Sequence, residues 1–190
     1  MLAGRGASSE HAAGMSSLDR IPSIETERLR LRAHRLDDFE ASFAMWSEPL
    51  VTRFIGKPST EQQAWSRLLV YAGHWALMRF GYWAVEEKAS CEFIGEVGFA
   101  DFKRDIEPRM RDVPEIGWAF APRAHGHGYA AEAVAAVVAW GDAQLESART
   151  VCLIDPANLA SIRLALKNGY REYARTLFND RPAIFFERIR

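Results

Sequence analysis

The first periodic pattern in the chain alternates charged and apolar residues. In TERLRLR, residues 26–32, arginines alternate with leucines, which is the period of a strand that buries one face. An apolar stripe at spacings of three and four then runs from Leu36 to Trp46, which is the period of a helix with one buried side. Pro49 follows this stripe, and we expect it to break the helix.

A second helix and three strands are predicted downstream. In STEQQAW a hydroxyl residue precedes a glutamine by three positions, which is a capping-box pattern, and apolar residues at helical spacing continue from Trp65 to Ala76. Gly81 is expected to end this helix. Charged and turn-forming residues separate the three predicted strands, which are YWAVEE, CEFIGEVGFADF and EIGWAFA.

Helices and strands alternate in the last third of the chain. A helix is predicted from Tyr129 to Leu145, and the continuous apolar run in TVCLID indicates a strand inside the sheet, buried on both faces. NLASIRLALKNGY predicts a last helix closed by Gly169, and REYARTLF with RPAIFFERIR predicts a terminal hairpin. The predicted order is strand, two helices, three strands, helix, strand, helix and two strands.

Length and composition indicate one folded domain. The chain has 190 residues, of which 48% are apolar, and this is enough for one well-packed core. Its first twenty residues are small and polar and contain no apolar run as long as that of a signal peptide or a membrane span. We therefore expect a flexible tail at residues 1–20 and a single domain at residues 21–190.

Net charge and cysteine content limit the classes of partner and the cellular compartment that we expect. A formal net charge of −1 gives no general electrostatic reason to bind nucleic acid or an anionic membrane. Cys91 and Cys152 lie in apolar surroundings, far apart in sequence, and neither belongs to a metal-type pair. We expect both to be reduced, buried core residues of a cytoplasmic protein.

Two glycines open the third predicted helix, in the stretch APRAHGHGYAAEA. Gly126 and Gly128 give the backbone φ values that other residues avoid and let another molecule approach the main chain. The first N–H groups of a helix have no internal partner and carry partial positive charge, so this turn favours a phosphate or pyrophosphate. Arg123 adds a full charge nearby.

Two other interpretations of this turn are weaker. Gly126, Gly128 and Ala131 satisfy the dinucleotide pattern G-x-G-x-x-A. That fingerprint requires the first glycine tight against a strand in an alternating βα chain, whereas PRAH intervenes here and the part of the chain before the turn has no alternating βα pattern. A metal site at His125 and His127 lacks a carboxylate or cysteine cluster to complete its ligands, so we expect no metal.

The same residues carry a resemblance to a known family. Arg123, Gly126 and Gly128 match R/Q-x-x-G-x-G/A, the acyl-coenzyme A pyrophosphate loop of the GNAT superfamily of N-acetyltransferases. SEPLVTRFIG, EIGWAFAP, HGHGYAAEA and NLASIRLALKNGY resemble its Rim-type branch, which includes ribosomal-protein N-terminal acetyltransferases. The resemblance covers about residues 24–189. It implies a mixed α/β fold with a mostly antiparallel sheet of six to seven strands, one splayed parallel pair and about four helices.

The resemblance also implies how acetyl-CoA is bound. In this fold the strand before the loop and the strand after its helix splay apart, and the pantetheine arm satisfies the freed backbone groups. Here those strands are EIGWAFA and TVCLID, and the N–H groups from Gly126 to Ala130 would hold the pyrophosphate. The residues expected to contact the cofactor are Trp118, Ala119, Phe120, Arg123, Gly126, His127, Gly128, Tyr129, Ala130, Asn158 and Ser161.

Glu115 is the expected catalytic base. Attack on a thioester requires a neutral amine, and near pH 7 only about a tenth of α-amino groups are neutral. Glu115 begins the splayed strand and shares a face with Gly117 and Ala119, whose small side chains leave space beside its carboxylate. It would take the proton directly or through water. The alternative is a structural carboxylate that pairs with an arginine or caps the strand edge.

Ser161 is the expected partner of the departing thiolate. Many members of the superfamily use a tyrosine four residues before the glycine of the last helix, but that position is Ala165 here. The resemblance to the Rim-type branch offers Ser161, three residues after Asn158, as the substitute. The alternative for Ser161 is a helix N-cap, and the alternative for Asn158 is shaping the turn instead of bonding pantetheine amides. Neither cysteine is activated in sequence, so we expect direct attack in a ternary complex.

The acceptor is the least determined partner. The resemblance implies a primary amine, either a protein N-terminus or a small molecule, and leaves a homodimer open. A non-catalytic acyl-CoA-binding regulatory protein on the same fold is the alternative to the enzyme. Tryptophans are expected mostly in the core, with one or two lining the acceptor pocket that the first two helices form, and these are Trp46, Trp65, Trp75 and Trp83.

Overall fold

The computed structural model describes residues 21–190, and the expected tail at residues 1–20 lies outside them. One eight-stranded sheet runs through this part of the chain in the order β1-β2-β3-β4-β5-β6-β8-β7. The strands are β1 Ile24–Glu25, β2 Leu29–Arg32, β3 Tyr82–Glu87, β4 Glu92–Ala100, β5 Glu115–Phe120, β6 Arg149–Ile154, β7 Arg171–Phe178 and β8 Arg181–Ile189. The α-helices are α1 Phe39–Ser47, α2 Pro49–Thr52, α3 Glu61–Met78, α4 Tyr129–Gln144 and α5 Leu159–Lys167.

The predicted mixed α/β class and element order are confirmed, but the counts are higher by one strand and one helix within the described residues. The extra strand, β1, has two residues, and the extra helix, α2, has four. Both are too short to produce a hydrophobic period. Pro49 breaks the helix as expected, since α1 ends at Ser47 and Glu48, the residue before the proline, is extended; Pro49 then starts α2, where its missing N–H costs no bond.

Helix α3 begins as predicted and ends earlier than predicted. Thr60 and Gln63 form the reciprocal capping box. The helix ends at Met78, and Arg79, not Gly81, takes the left-handed conformation at φ 62°. Gly81 has a different role, because a Cβ built there would lie 2.6 Å from the Trp75 ring.

The sheet carries helices on both faces. On one face, α4 and α5 bury the largest apolar cluster against the central strands, including Val134, Val137 and Ala165. On the other face, α1 packs Met45 and Trp46 against β3, β4 and β5. Trp46, Trp75 and Trp83 are buried, whereas Trp65 is 40% exposed on α3 and is a correction to the expected core set.

The sheet interior and the last hairpin follow the prediction. Strand β6 lies between β5 and β8, and β7 with β8 forms the terminal hairpin. The expectation for the cysteines is half wrong. Cys152 is buried in β6, but Cys91 is exposed in the turn between β3 and β4, where it adopts a φ of 58°. The apolar residues around Cys91 in sequence belong to strands, while Cys91 itself closes the turn.

Candidate active site

Strands β5 and β6 touch at one end and separate along the rest of their length. Their parallel pairing consists of Glu115 with Val151, and the Val151 N–H donates to the Pro114 carbonyl at 3.0 Å. All six residues of β5 pair with β4 on its other side, and all six residues of β6 pair with β8. Beyond Glu115, the edge of β5 that faces β6 therefore has backbone groups that pair with no strand of residues 21–190.

A cleft of about 880 Å³ opens at this separation. Its walls include Glu115 to Trp118 of β5, Cys152 to Ile154 of β6, and Asp155, which follows β6. The cleft continues past these strands to the α1 and α3 side, where Trp46, Arg67 and Tyr71 line it. The same cleft therefore extends from the gap between the splayed strands to the side of the sheet covered by α1 and α3. We call the part lined by Trp46, Arg67 and Tyr71 the second chamber.

The glycine turn lies at the start of α4, after residues 121–125, which follow β5 and include the 3-10 turn Pro122–Ala124. Gly126 and Gly128 have φ values of 81° and 79°, so both positions require the left-handed region that glycine adopts freely. A Cβ at Gly126 would meet no protein atom within 4 Å, so this stretch of main chain is open to a partner. Among residues 21–190, the N–H groups of residues 126–130 donate to no backbone carbonyl outside the helix. The two glycines thus adopt the conformation that the sequence predicts, at a helix start whose first N–H groups have no such partner.

Side chains from the first hairpin hold this turn in place. Glu132 accepts hydrogen bonds from the Thr26 hydroxyl at 2.6 Å and from the Arg28 N–H at 2.8 Å. Arg28 in turn donates to the His127 carbonyl at 2.8 Å. The charge pair between Arg28 and Glu132 fixes the α4 start against β2, so the turn is a preorganised element and not a free loop.

Arg123 and the aromatic residues of the turn are already engaged with the protein. Arg123 donates to the Phe93 carbonyl at 2.6 Å, lies 3.2 Å from Glu92 and is 55% exposed. The rings of His127 and Tyr129 stack at 5.6 Å between centroids, and the Tyr129 hydroxyl donates to Glu87. The charge expected from Arg123 is therefore shared with the Phe93 carbonyl and Glu92 of β4.

Trp118, Asn158 and Ser161 meet across the splay. The Trp118 Nε1–H donates to the Ser161 hydroxyl oxygen at 3.2 Å. Asn158 is the N-cap of α5, and its side-chain carbonyl accepts the Ser161 N–H at 3.2 Å. The N-cap alternative for Ser161 is therefore wrong, because the cap is Asn158. The Ser161 hydroxyl accepts from Trp118 and keeps its own proton for another partner.

Ala119 and Phe120 face the two hydrophobic cores. Ala119 packs with the α1 cluster, and Phe120 packs with the α4 cluster. Their side chains are buried, so any contact of these two residues with a ligand in the splay comes from the main chain. Ala130, in the first turn of α4, is packed against the same core as Phe120.

Glu115 is held by an arginine that sequence analysis did not identify. Arg104 donates to both carboxylate oxygens of Glu115, at 2.7 and 2.8 Å, and the Glu115 side chain is 13% exposed. The Arg104 guanidinium lies over the rings of Phe102 and Phe178. This is the arginine pairing considered as the alternative. A carboxylate has about four acceptor sites, so a bidentate arginine leaves capacity for a proton or a water.

The space beside Gly117 is occupied by a tyrosine hydroxyl. Tyr82 pairs with Gly98 and Gly98 with Gly117 across three strands, and a Cβ at Gly117 would lie 2.0 Å from the Tyr82 hydroxyl oxygen. Burial, with help from the Glu115 charge, raises the pKa of Tyr82 well above its usual range, so this hydroxyl stays protonated. Paired glycines on neighbouring strands are the signal for such a ring, but the register is needed to see it.

A second carboxylate, Glu96, lies buried on the same face. It accepts hydrogen bonds from the Ser42 hydroxyl at 2.7 Å and from Trp46 Nε1 at 2.8 Å, and His34 lies 3.6 Å away. Burial opposes ionisation of this side chain, which is 1% exposed, yet the nearby His34 and the hydrogen bonds from Ser42 and Trp46 outweigh it and lower its pKa. Glu96 therefore anchors α1 to the sheet as a satisfied anion and lies outside the cleft lining.

Cys152 lines the cleft but is poorly suited to act as a nucleophile. Burial raises the pKa of its thiol well above the usual range, so the thiol is protonated at neutral pH. Among residues 21–190, no group of three or more His, Cys, Asp or Glu side chains is placed to hold a metal ion. No helix in the described part of the chain is long and apolar enough to cross a membrane.

The family model for the acetyltransferase (GNAT) domain matches residues 28–171, so the chain belongs to the GNAT acetyltransferase family. This membership makes it an acetyl-CoA-dependent N-acetyltransferase, and the resemblance to the superfamily is confirmed. YoaA of Bacillus subtilis, an uncharacterized N-acetyltransferase, is 33% identical over 154 residues, which are 80% of this chain and 84% of that protein.

Solved structures show the same fold. A GnaT-family protein from Bordetella pertussis superposes with a TM-score of 0.78 at 34% identity, covering 88% of this chain and 99% of that one. RimL, a ribosomal alpha-N-protein acetyltransferase in complex with coenzyme A, gives a TM-score of 0.73 at 16% identity, with 88% and 98% of the two chains covered. At that identity the likeness to RimL shows the fold alone.

Removal of the Ser161 hydroxyl should slow acetyl transfer without unfolding α5. Ser161→Ala removes a donor that faces the splay but leaves the Asn158 cap on the Ser161 N–H intact. We expect kcat to fall by about 10- to 100-fold, the range of one hydrogen bond to a developing charge. Steady-state thiol release measures this. Ser147→Ala is the control, because Ser147 bonds only Arg149 near the start of β6. An unchanged kcat in Ser161→Ala would remove Ser161 from the chemistry.

Proposed function

We propose that the protein moves an acetyl group from acetyl-CoA to a primary amine by direct attack within a ternary complex. One observation carries the proposal. The space between the splayed strands β5 and β6 continues into a second chamber, and Glu115 and Ser161 both line the walls of that one cleft. Such a cleft admits a thioester from one side and an amine from the other.

The main chain supplies the fit to acetyl-CoA. The unpaired N–H groups of residues 126–130 form an anion site for the pyrophosphate at the start of α4. The unpaired edge of β5 beyond Glu115 offers hydrogen-bonding groups to the amides of the pantetheine arm. Asn158 lines the same cleft, and its side-chain carbonyl is used by the α5 cap, so its amide N–H groups are the part that would face the arm.

The acceptor ammonium loses one proton before the attack and a second as the amide forms, and the departing thiolate gains one, so the products are the amide, the free thiol of coenzyme A and one released proton. The amine nitrogen attacks the thioester carbonyl carbon, a C–N bond forms, and the C–S bond breaks. Glu115, oriented by the two hydrogen bonds from Arg104, takes a proton from the acceptor ammonium through water, so that the neutral amine attacks. The thiolate accepts a hydrogen bond from the Ser161 hydroxyl, whose oxygen Trp118 polarises.

The finer assignment is a cytoplasmic enzyme of the Rim-type branch with one domain at residues 21–190. Two unpaired cysteines, Cys91 and Cys152, fit a reducing compartment. The fold likeness to RimL supports the branch only at the level of architecture. A peptide N-terminus and a small-molecule amine both remain acceptor classes within this proposal.

Direct transfer should require neither cysteine. Cys91→Ser and Cys152→Ala should each retain acetyl transfer within about threefold, because the Cys152 thiol is protonated and Cys91 lies outside the cleft lining. Initial rates against both substrates should give intersecting double-reciprocal lines. Parallel lines, or an acetyl group trapped on either cysteine, would contradict the ternary complex. Acetyl-CoA binding with no thiol release to any amine would favour the regulatory alternative.

A further inference from the structure

Arg67 projects an arginine charge into the chamber of the cleft opposite the splay. It lies on α3 and lines the cleft together with Trp46 and Tyr71. Its guanidinium lies over the Trp46 ring, 3.8 Å from the centroid. One face of the guanidinium plane is thereby covered, and its edge carries the remaining donors.

The charge of Arg67 has no carboxylate partner among residues 21–190. Its two terminal nitrogens both donate to one neutral acceptor, the Ser59 hydroxyl, at 3.3 Å. By contrast, the other arginine in the cleft wall, Arg104, has both ends of its fork satisfied by Glu115. A partly buried guanidinium that shares one hydroxyl lacks the anionic partner that offsets its desolvation.

Both carboxylates of the cleft wall form ion pairs with arginines. The acidic residues of the lining are Glu115, bound by Arg104, and Asp155, which lies 3.0 Å from Arg181. Lys57 is a further cation in the lining. The chamber therefore has uncompensated positive charge and offers no unpaired carboxylate to a polyamine or another multiply charged cation.

We propose that the acceptor is a primary amine that also carries a carboxylate, and that the Arg67 fork binds that carboxylate while the amine faces Glu115. This inference rests on the proposed function. A planar carboxylate matches the in-plane donors that the stacked Trp46 ring leaves exposed. An amino acid and an acidic peptide both present this chemistry, so the two sources are separated by experiment.

The test compares matched acceptors in a thiol-release assay with acetyl-CoA. A series of ω-aminocarboxylates from β-alanine to 6-aminohexanoate, with α-amino acids, represents free amino acids. A tetrapeptide with glutamate at its second position represents acidic peptides. Each acceptor is paired with its carboxamide, and putrescine and O-phosphoethanolamine complete the panel. We expect at least one carboxylate to exceed its carboxamide by about 10- to 100-fold in kcat/KM, the range of a hydrogen bond to a charged group.

Variants of Arg67 then assign the preference to this side chain. Arg67→Gln should remove the preference for the best carboxylate mainly by raising KM, while kcat/KM for the carboxamide changes by less than about threefold. Arg67→Lys should restore part of it, because charge returns without the fork. Arg171→Gln, which removes an exposed arginine of β7 outside the cleft lining, is the matched control and should keep the full preference.

Failure of this inference and failure of the proposed function give different results. Equal rates for carboxylates and carboxamides, no transfer to any aminocarboxylate, or a preference for putrescine or O-phosphoethanolamine would each overturn the carboxylate acceptor. A preference that survives in Arg67→Gln would overturn the role of Arg67. The proposed function itself fails only if acetyl-CoA does not bind or no amine of any class releases thiol.

Discussion

Glu115→Gln should slow acetyl transfer by about 10²- to 10⁴-fold at neutral pH, the usual contribution of a general base. Glutamine keeps the shape of the side chain but cannot take a proton from the acceptor ammonium to produce the neutral amine that attacks. Because Glu115 lies at the closed end of the splay and not on the glycine turn, acetyl-CoA affinity should stay within about threefold. Paired measurements of kcat by thiol release and of acetyl-CoA binding by calorimetry test both parts.

The loss in Glu115→Gln should shrink as pH rises. An α-amino group has an ordinary pKa of about 7.7 to 8.0, so below that range most of it is protonated and needs a base, while above it the neutral amine attacks unaided. The two pH–rate profiles should therefore converge on the alkaline side. Glu107→Gln is the matched control, since Glu107 is an exposed carboxylate that also pairs with an arginine, Arg109. Wild-type rates for Glu115→Gln at every pH would make Glu115 a structural partner of Arg104.

Valine at either glycine of the turn should weaken acetyl-CoA binding by at least about tenfold. Both glycines have positive φ, and a β-branched residue pays roughly 1–2 kcal/mol or more to adopt that conformation. The new side chain at Gly126 would also stand in the open space beside the unpaired N–H groups. Calorimetric titration of Gly126→Val and Gly128→Val with acetyl-CoA measures the loss.

A glycine with positive φ outside the turn serves as a control. It distinguishes the conformational cost of valine from an obstruction of acetyl-CoA binding to the main chain. Gly169 follows α5 with a φ of 84°, so Gly169→Val carries the same conformational penalty away from the turn. We expect this variant to lose thermal stability but to keep its acetyl-CoA affinity. If all three valine variants lose affinity equally, or if the two turn variants bind acetyl-CoA as tightly as wild type, the turn does not grip the pyrophosphate.

Local patterns predicted much of the fold because each depends on neighbours in sequence. The Thr60 and Gln63 capping box, the buried run of β6 and the positive φ at Gly126 and Gly128 all follow from short-range chemistry. Elements without a period, such as the two-residue β1, were not predicted. Cys91 was wrongly assigned to the core because the apolar residues near it in sequence belong to the flanking strands, whereas Cys91 itself lies in the turn.

Contacts between distant segments account for what sequence reasoning missed in the candidate site. Arg104 reaches Glu115 from a loop eleven residues away. Tyr82 reaches Gly117 only because β4 sets the register between them. The lack of a carboxylate partner for Arg67 is visible only in the structure, where both carboxylates of the cleft wall pair with other arginines. Contacts of this kind between distant residues cannot be predicted from the spacing of residues along the sequence.

Amide hydrogen exchange at residues 126–130 tests the main-chain grip on acetyl-CoA most directly. These N–H groups start α4 without backbone partners outside the helix among residues 21–190, so they should exchange rapidly in the protein alone. On addition of acetyl-CoA, exchange at residues 126–130 and along the β5 edge beyond Glu115 should slow markedly, while the β7–β8 hairpin should be unaffected. Unchanged exchange in the turn at an acetyl-CoA concentration that supports full turnover would contradict this mode of binding.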